Sequence, residues 1–507
     1  MTANERPTRM QRGERRHVMD RPNVLWICTD QQRYDTIGCL GNPHIRTPNI
    51  DRLCAEGSAF THAYCQSPIC TPSRASFLTG LYPSSVHCNI NGNRRFNIPE
   101  QAQLVTHHLS DVGYRCGLVG KLHLASAWDG YEERIDDGYE FFHHSQSSCQ
   151  HMDLANEYTD WLDSIGKLDE VVDQTNRDDA LRRGTRIREN IPFELHQTTW
   201  CADRTIDFIQ ENNGRPWLLS LNIFDPHGPF DAPDDFRRPY ETPDLPAPLF
   251  SETDIETQAR IAPTHMFQST PHAPGEAEQR NKASYYGMID IIDRNVGRLL
   301  DCLEETGQRE STLVIFTSDH GEMLGDHGLM GKGCRFYEGL VRVPLIFSWP
   351  GHIRQGLVSD ALVELTDIAA TLTDIVGQPM EWMQGRSLMP IMSEATPGPG
   401  PADAGTAAIH RDFVRCEFYD VLDMNWGTGK PPSPKSYATM YRDRRYKLVT
   451  YHGSDFGELY DLKNDPDEHN NLWEAPGSSD VRCRLIKRSF DESIVITDPG
   501  SRRIGRF

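Results

Sequence analysis

The 507-residue sequence contains no apolar run of about 18 residues, the length that a membrane-spanning helix requires, so we expect no membrane partner. An export signal is lacking as well, because residues 1–21 are basic and polar without an apolar core. We interpret them as a disordered arm and expect a cytoplasmic protein. The 13 cysteines are an odd number scattered over a long chain, which is more typical of reduced thiols than of a disulfide framework.

Positive charge is scarce relative to negative charge. The chain carries 52 Lys and Arg against 73 Asp and Glu, and its formal net charge is -21. A surface of this sign repels nucleic acid and long polyanions, so we expect neither as a partner. A small anion in a locally positive pocket remains compatible with this charge.

The segment from Cys70 to Arg74 reads Cys-Thr-Pro-Ser-Arg and predicts a turn that opens into a helix, because proline is favoured in the first helical turn. The start of a helix offers free backbone N–H groups to an anion. Arg74 lies one helical turn from Cys70, so its guanidinium could bind an oxyanion or a deprotonated nucleophile. The alternative is a structural cysteine at a helix start.

Polar side chains follow two apolar runs, at residues 24–28 and 312–317, that we predict to be buried strands of a parallel sheet. Ligands of open α/β sheets bind beyond the carboxyl ends of such strands. Carboxylates and amides there offer oxygen ligands to a divalent cation, and an imidazole can add nitrogen. The residues concerned are Asp30, Gln31, Asp319 and His320.

Three further basic side chains occupy turns. Lys121 and His123 follow a short predicted strand and point to the same side of an extended segment, where a cation beside an imidazole can bind an oxyanion and move a proton. His227 follows the buried run of residues 216–224, between two prolines. Taken singly, each of these residues is also compatible with an ordinary surface or turn position.

These segments, taken together and in order, resemble the motifs of the type I sulfatases in the alkaline-phosphatase-like superfamily. The resemblance covers most of residues 22–475. The matching motifs are C-T-P-S-R with L-T-G at 70–80, K-L-H at 121–123, D-P-H-G-P-F at 225–230, and D-H-G-E with G-D-H-G at 319–328.

The resemblance implies an α/β fold: an alkaline-phosphatase-like three-layer α/β/α sandwich with a mostly parallel central sheet, plus a smaller C-terminal α+β subdomain with a short antiparallel sheet. We expect the catalytic domain at residues 22–392 and the C-terminal subdomain and tail at 407–507. The intervening residues 393–406 are rich in Pro, Gly and Ala, which is typical of a linker.

The same resemblance implies a mechanism. A formylglycine-generating enzyme would oxidise Cys70 to formylglycine (3-oxoalanine), whose hydrate is the nucleophile. The implied cation is calcium, with manganese as the alternative. Its implied ligands are Asp30, Gln31, Cys70, Asp319 and His320, and the implied catalytic residues are Cys70, Arg74, Lys121, His123, His227 and Lys332.

The expected activity is hydrolysis of a small anionic sulfate monoester, similar to that of an arylsulfatase. Gln31 departs from the pair of acids found in most sulfatases and resembles the choline-sulfatase and phosphonate monoester hydrolase branches. Hydrolysis of phosphonate monoesters or phosphodiesters therefore stays open as an alternative. A second alternative is a catalytically inactive binding protein, and the basic tail at 481–507 leaves a homo-oligomer open.

Overall fold

The computed structural model describes residues 21–91, 102–125, 132–147, 156–172, 190–211, 214–230, 232–261, 271–393, 410–420 and 436–497. Residues 1–20 of the predicted arm and 394–406 of the predicted linker lie outside these ranges. Within them, none of the helices combines the length and the apolar character that crossing a bilayer requires.

The main sheet has nine strands, and most of them run in one direction. Their order is β4-β3-β5-β1-β6-β8-β2-β7, with β9 pairing to β2. The central neighbours β3, β5, β1 and β6 are all parallel, whereas β7 and β8 run antiparallel to their partners. The strands are β1 (Asn23–Thr29), β2 (Gly57–Tyr64), β3 (Arg115–Gly120), β4 (Phe141–His144), β5 (Trp217–Asn222), β6 (Thr312–Ser318), β7 (Arg342–Val343), β8 (Leu345–Ser348) and β9 (Leu357–Glu364).

The helices connect these strands. They are α1 (Pro48–Ala55), α2 (Cys70–Thr79), α3 (Val105–Asp111), α4 (Glu157–Ser164), α5 (Leu168–Val171), α6 (Gln197–Glu211), α7 (Asp234–Arg237), α8 (Glu252–Ile261), α9 (Glu276–Glu305), α10 (Glu338–Val341), α11 (Thr366–Ile375), α12 (Met389–Met392) and α13 (Ser479–Thr497). Single 3-10 turns occur at Gly38–Leu40, Phe193–Leu195, Arg238–Tyr240 and Asp326–Gly328.

The central strand β1 shows why the sheet is covered on both faces. Successive side chains of a strand point to opposite faces. Val24, Trp26 and Cys28 accordingly pack in one hydrophobic cluster, whereas Leu25 and Ile27 pack in another. An uninterrupted apolar run is therefore required here, and the polar residues can begin only where the strand ends.

A second, antiparallel sheet of four strands forms the smaller part of the fold. Its order is β10 (Phe413–Asp420), β11 (Ser436–Asp443), β12 (Tyr446–Tyr451) and β13 (Gly457–Asp461). The predicted fold class, a mostly parallel sheet with helices plus a short antiparallel sheet, is confirmed.

The strand predictions differ from the structure in two places. The apolar run from Val341 to Trp349 predicted one strand, but Pro344 has no N–H to donate and divides it into β7 and β8. The polar residues 129–197 predict surface excursions, but they contain β4, which pairs in parallel with β3 at the edge of the sheet. It has only four residues, all half-buried, and so short a run within a polar stretch carries little strand signal.

A buried ion cluster joins the two sheets. Lys447 of β12 has a fully buried side chain, and its Nζ lies 2.7 Å from Glu338 Oε1 and 2.7 Å from Glu468 Oε1. Nζ also donates to the Phe336 carbonyl at 2.9 Å. A charge without water needs such partners, so the cluster fixes how the C-terminal sheet packs on the main domain.

Replacing Lys447 with Met should destabilise the protein by about 3–5 kcal/mol, because it removes the cation that two buried glutamates share. The matched control is Lys487→Ala, which removes an exposed lysine paired with Asp491 and should cost at most about 1 kcal/mol. Denaturant unfolding of both variants measures the difference. Equal stability of the two variants would contradict the role given to Lys447.

Candidate active site

The motif cysteine lies at the first residue of α2, deep in the protein. The helix begins at Cys70 itself and ends at Thr79, and Gly80 caps it in the left-handed conformation (φ 71°). Cys70 is 1% exposed. The N–H of Thr71 next to it donates to Asn91 Oδ1 at 2.9 Å, which satisfies one of the free amides of the first turn.

Four of the predicted metal ligands, including Cys70 itself, lie close together. Asp30 and Asp319 follow the parallel neighbours β1 and β6, so both lie at the same edge of the sheet. One ligand atom from each of Asp30, Cys70, Asp319 and His320 lies within 4.8 Å of the others, and all four residues are buried. Cys70 Sγ is 3.2 Å from His320 Nε2 and 3.7 Å from Asp30 Oδ1.

The fifth predicted ligand, Gln31, adopts a left-handed backbone conformation (φ 70°) that costs energy for a residue other than glycine. Its N–H donates to Asp319 Oδ1 at 3.1 Å, and its Nε2 donates to Glu322. Its Oε1 is buried and accepts no hydrogen bond from the described residues. Two carboxylates and an imidazole that lie together, next in sequence to a buried amide oxygen without a partner among the described residues, are a donor set that fits a divalent cation.

Two buried lysines offset part of the negative charge of the site. Lys121 Nζ lies 2.6 Å from Asp30 Oδ2, and Lys332 Nζ lies 2.8 Å from Cys70 Sγ. Burial and Asp30 act to raise the pKa of the Cys70 thiol, but Lys121, Lys332 and His320 outweigh them and hold it well below its usual range. The position therefore favours an anionic group.

The guanidinium of Arg74 donates hydrogen bonds to both carboxylates. Its Nε donates to Asp319 Oδ2 at 2.9 Å, and its Nη2 donates to Asp30 Oδ2 at 3.3 Å. Its Nη1 donates to the Lys121 carbonyl at 3.1 Å. Arg74 is 0% exposed, so these three contacts orient both acids and the lysine turn from within.

The two predicted histidines are held in the neutral form. His227 Nδ1 donates to the Gly228 carbonyl at 2.7 Å, which leaves Nε2 as the nitrogen with the lone pair. Burial together with Lys332 and Lys121, against the opposing effect of Asp30, lowers the pKa of His227 to about 3. Burial and Lys121 likewise hold the pKa of His123 well below its usual range.

A buried acid that the sequence did not single out supports the His123 turn. Glu132 accepts hydrogen bonds from the backbone N–H groups of His123 (2.8 Å), Leu124 and Ala125 (3.0 Å). His144 Nε2 lies 3.5 Å from Glu132 Oε2. Glu132 sits in a stretch of polar residues, where its sequence neighbours carry no signal of this role.

Two family models match the chain. The model described as "Sulfatase" covers residues 22–378, and that described as "N-sulphoglucosamine sulphohydrolase, C-terminal" covers residues 325–493. The chain belongs to the sulfatase family. This membership supports sulfuric ester hydrolase activity and implies a divalent cation and a formylglycine made from a cysteine.

Individual relatives agree with this assignment. An arylsulfatase of Clostridium perfringens is 29% identical over 89% of this chain and 90% of its own length. The multifunctional alkaline phosphatase superfamily protein PehA of Trinickia caryophylli is 30% identical over 90% of this chain and 91% of its own length. The chain is also similar to the crystal structure of a phosphonate monoester hydrolase of Agrobacterium radiobacter, with 25% sequence identity and a TM-score of 0.75. The similarity covers 94% of this chain and 96% of the hydrolase chain.

Glu132→Ala should lower kcat/KM about 10- to 100-fold, because three backbone N–H groups lose their acceptor and the turn that carries His123 loosens. Glu132→Gln keeps a carbonyl oxygen at the same place, so its kcat/KM should lie between those of Glu132→Ala and the wild type. Steady-state kinetics on an aryl sulfate, with thermal unfolding measured in parallel, makes the comparison. A Glu132→Ala enzyme with unchanged kcat/KM would show that the turn needs no such support.

Proposed function

We propose that this protein hydrolyses a sulfate monoester through a formylglycine nucleophile at position 70, beside a bound divalent cation. The observation that supports this most directly is the convergence of Asp30, Asp319 and His320 on the Cys70 sulfur, with Lys332 at 2.8 Å from that atom. A site for one anionic nucleophile and one tetrahedral anion needs this combination of ligands and cations.

The cation would be held by the carboxylates of Asp30 and Asp319, the Nε2 of His320 and the orphaned Oε1 of Gln31. Bound there, it would supply positive charge that favours an anionic nucleophile and stabilises charge on the sulfuryl oxygens. The oxygen-rich set suits calcium, and the imidazole makes manganese the alternative.

The lysines would bind the oxygens of the sulfuryl group. Lys332 Nζ lies 2.8 Å from Cys70 Sγ, the atom that the reacting group of formylglycine would replace. The ion pair with Asp30 holds Lys121 at the same site. Both act within a site that excludes water, where a preorganised charge stabilises a developing one strongly. Arg74 keeps the two metal-binding carboxylates in place rather than contacting the ester.

The histidines would move protons. His123 is kept neutral by burial and by Lys121, and a neutral imidazole can accept the proton whose loss from the nucleophile releases sulfate. His227 has its Nδ1 fixed on a carbonyl, so its Nε2 is the atom that faces the reaction. A bound anion favours the protonated form of this ring, which could then donate to the leaving oxygen.

A phosphonate monoester or phosphodiester hydrolase is the second candidate. It is favoured by Gln31, which supplies a neutral oxygen where most sulfatases have an acid, and by the similarity to the phosphonate monoester hydrolase over 94% of the chain. An inactive binding protein is the third reading, and it would need none of the buried cations.

Comparing an aryl sulfate with a phenyl phosphonate monoester on one preparation separates the first two candidates. We expect a higher kcat/KM for the sulfate. A higher kcat/KM for the phosphonate would make the second candidate the function of the protein, and turnover of neither ester by fully modified protein would favour a binding role.

The nucleophile is tested by mass spectrometry of the peptide that contains Cys70, after co-expression with a formylglycine-generating enzyme. We expect the mass change for replacement of the thiol by an aldehyde, and activity in proportion to the converted fraction. Cys70→Ala is the inactive control. Full activity in protein whose Cys70 is entirely thiol would contradict the proposal.

Lys332→Ala should lower kcat/KM about 100- to 1,000-fold, equivalent to about 2.7–4 kcal/mol, because it removes the cation nearest the reacting atom. Lys332→Arg should recover part of the loss, since it restores the charge with a different shape. Lys167→Ala, at an exposed lysine paired with Glu170, is the matched control. A loss below tenfold for Lys332→Ala would remove this lysine from the proposed machinery.

We also propose, on the sequence alone, a cytoplasmic protein with a catalytic domain at residues 22–392 and a C-terminal subdomain at 407–507. A formylglycine-generating enzyme would be its maturation partner, and self-association through the basic tail remains a hypothesis. Size measurement in solution tests the last point.

A further inference from the structure

A second group of side chains of the types that can bind metal ions lies apart from the Cys70 cluster and shares no residue with it. It consists of Asp254 in α8, His327 in the 3-10 turn Asp326–Gly328, and His469 in the segment that follows β13. One ligand atom from each lies within 4.8 Å of the others. The three residues are far apart in the sequence, and the fold alone brings them together.

The distances within this group match those between ligands of one ion. Asp254 Oδ1 lies 3.1 Å from His327 Nδ1 and 3.3 Å from His469 Nδ1. Two ligands bonded at about 2.0–2.1 Å to a tetrahedral zinc ion lie about 3.3 Å apart. The same spacing also suits hydrogen bonds from two imidazoles to one carboxylate, so the two readings must be separated by metal binding itself.

Two of the three residues are held by contacts outside the group. Asp254 Oδ2 accepts the N–H of Ser251 at 2.7 Å, and His469 Nδ1 lies 3.3 Å from both carboxylate oxygens of Asp254. The ring of His327 stacks on Tyr337 at 3.8 Å and 14°, and the backbone N–H of His327 donates to the Leu249 carbonyl at 2.7 Å, which fixes the turn that carries the ring. Ligands that are already oriented lose little entropy when an ion binds.

The backbone at His327 is unusual for a histidine. Its φ is 54°, in the left-handed region. Gly325 and Gly328, at the two ends of the same turn, also have positive φ. A side chain there costs energy, and such strain persists where the surrounding structure requires the position of that side chain. Here the conformation directs the ring toward Asp254.

Burial and donor type indicate the class of ion. Asp254 is 3% exposed and His327 2% exposed, whereas the His469 side chain is 24% exposed. The buried side thus holds two ligands, and the exposed side leaves an entry route and room for water as a fourth ligand. Two imidazoles with one carboxylate favour zinc and its neighbours over calcium or magnesium.

We propose that Asp254, His327 and His469 bind a transition-metal cation of the zinc class, separate from the cation of the catalytic site. The ion would join α8 and the Gly325–Gly328 loop to the C-terminal segment that carries His469. Its role is to stabilise the junction between the two parts of the fold. The loop it fastens continues to Lys332, so the ion would also restrict the motion of that lysine.

The test titrates zinc into the full chain carrying Cys70→Ala, so that the soft ligand of the catalytic site is absent. The protein is first stripped with a chelator and then kept in excess calcium, which occupies oxygen-rich sites. Bound zinc is counted by elemental analysis after desalting, and thermal unfolding is followed with and without zinc. We expect one equivalent of zinc and a rise in the unfolding temperature.

His469→Gln is the decisive variant, because a glutamine can still donate a hydrogen bond to Asp254 but is a poor zinc ligand. We expect at least a tenfold loss of zinc affinity and no thermal shift. Asp254→Asn gives the same readout if the first variant fails to fold. The control is His352→Gln, which removes an exposed histidine elsewhere and should leave both readouts unchanged.

Zinc binding that His469→Gln and Asp254→Asn both retain would overturn the proposal, as would the absence of any bound equivalent in the parent protein. Either result would identify the three residues as a hydrogen-bonded cluster.

Discussion

The structure depends on the pairing of two buried carboxylates with buried cations. Asp30 and Asp319 are both 0% exposed, and a carboxylate removed from water is unstable unless it is paired. Arg74 contacts both acids, and Lys121 contacts Asp30. Four separate segments are thereby fixed to one another, and the residue at position 70 acquires its surroundings from them.

The parallel sheet makes this pairing achievable. Because β1 lies between β5 and β6, the turns that follow these three strands meet at one edge, with Asp30, His227 and Asp319 in them. The strands are buried on both faces, so they cannot accept polar residues before they end. Hydrophobic burial thus determines where the charged groups gather, and charge pairing determines their orientation.

The sequence predicted the parts of the site that lie close to strand ends and helix starts. Apolar runs identified β1, β5 and β6, and the polar residues after them led to the prediction that Asp30, His227 and Asp319 belong to the site. The family and the fold class inferred from those motifs are confirmed.

The supporting residues could not be predicted in the same way, because the contacts through which they act leave no pattern in the sequence around them. Glu132 is one acid among several in a polar stretch, and Asn91 is one of many loop asparagines. His469 lies 215 residues from Asp254. Pro344 shows the opposite case, since its missing N–H was visible in the sequence but the prediction of one strand did not take it into account.

The central claim is that the buried acids hold a cation beside position 70. Crystals grown with manganese, measured for anomalous scattering, test it most directly. The account predicts an anomalous peak at bonding distance from carboxylate oxygens of Asp30 and Asp319, with His320 Nε2 and Gln31 Oε1 completing the contacts. Well-ordered crystals in which these side chains surround no peak, with Lys121 and Lys332 alone balancing the acids, would contradict it.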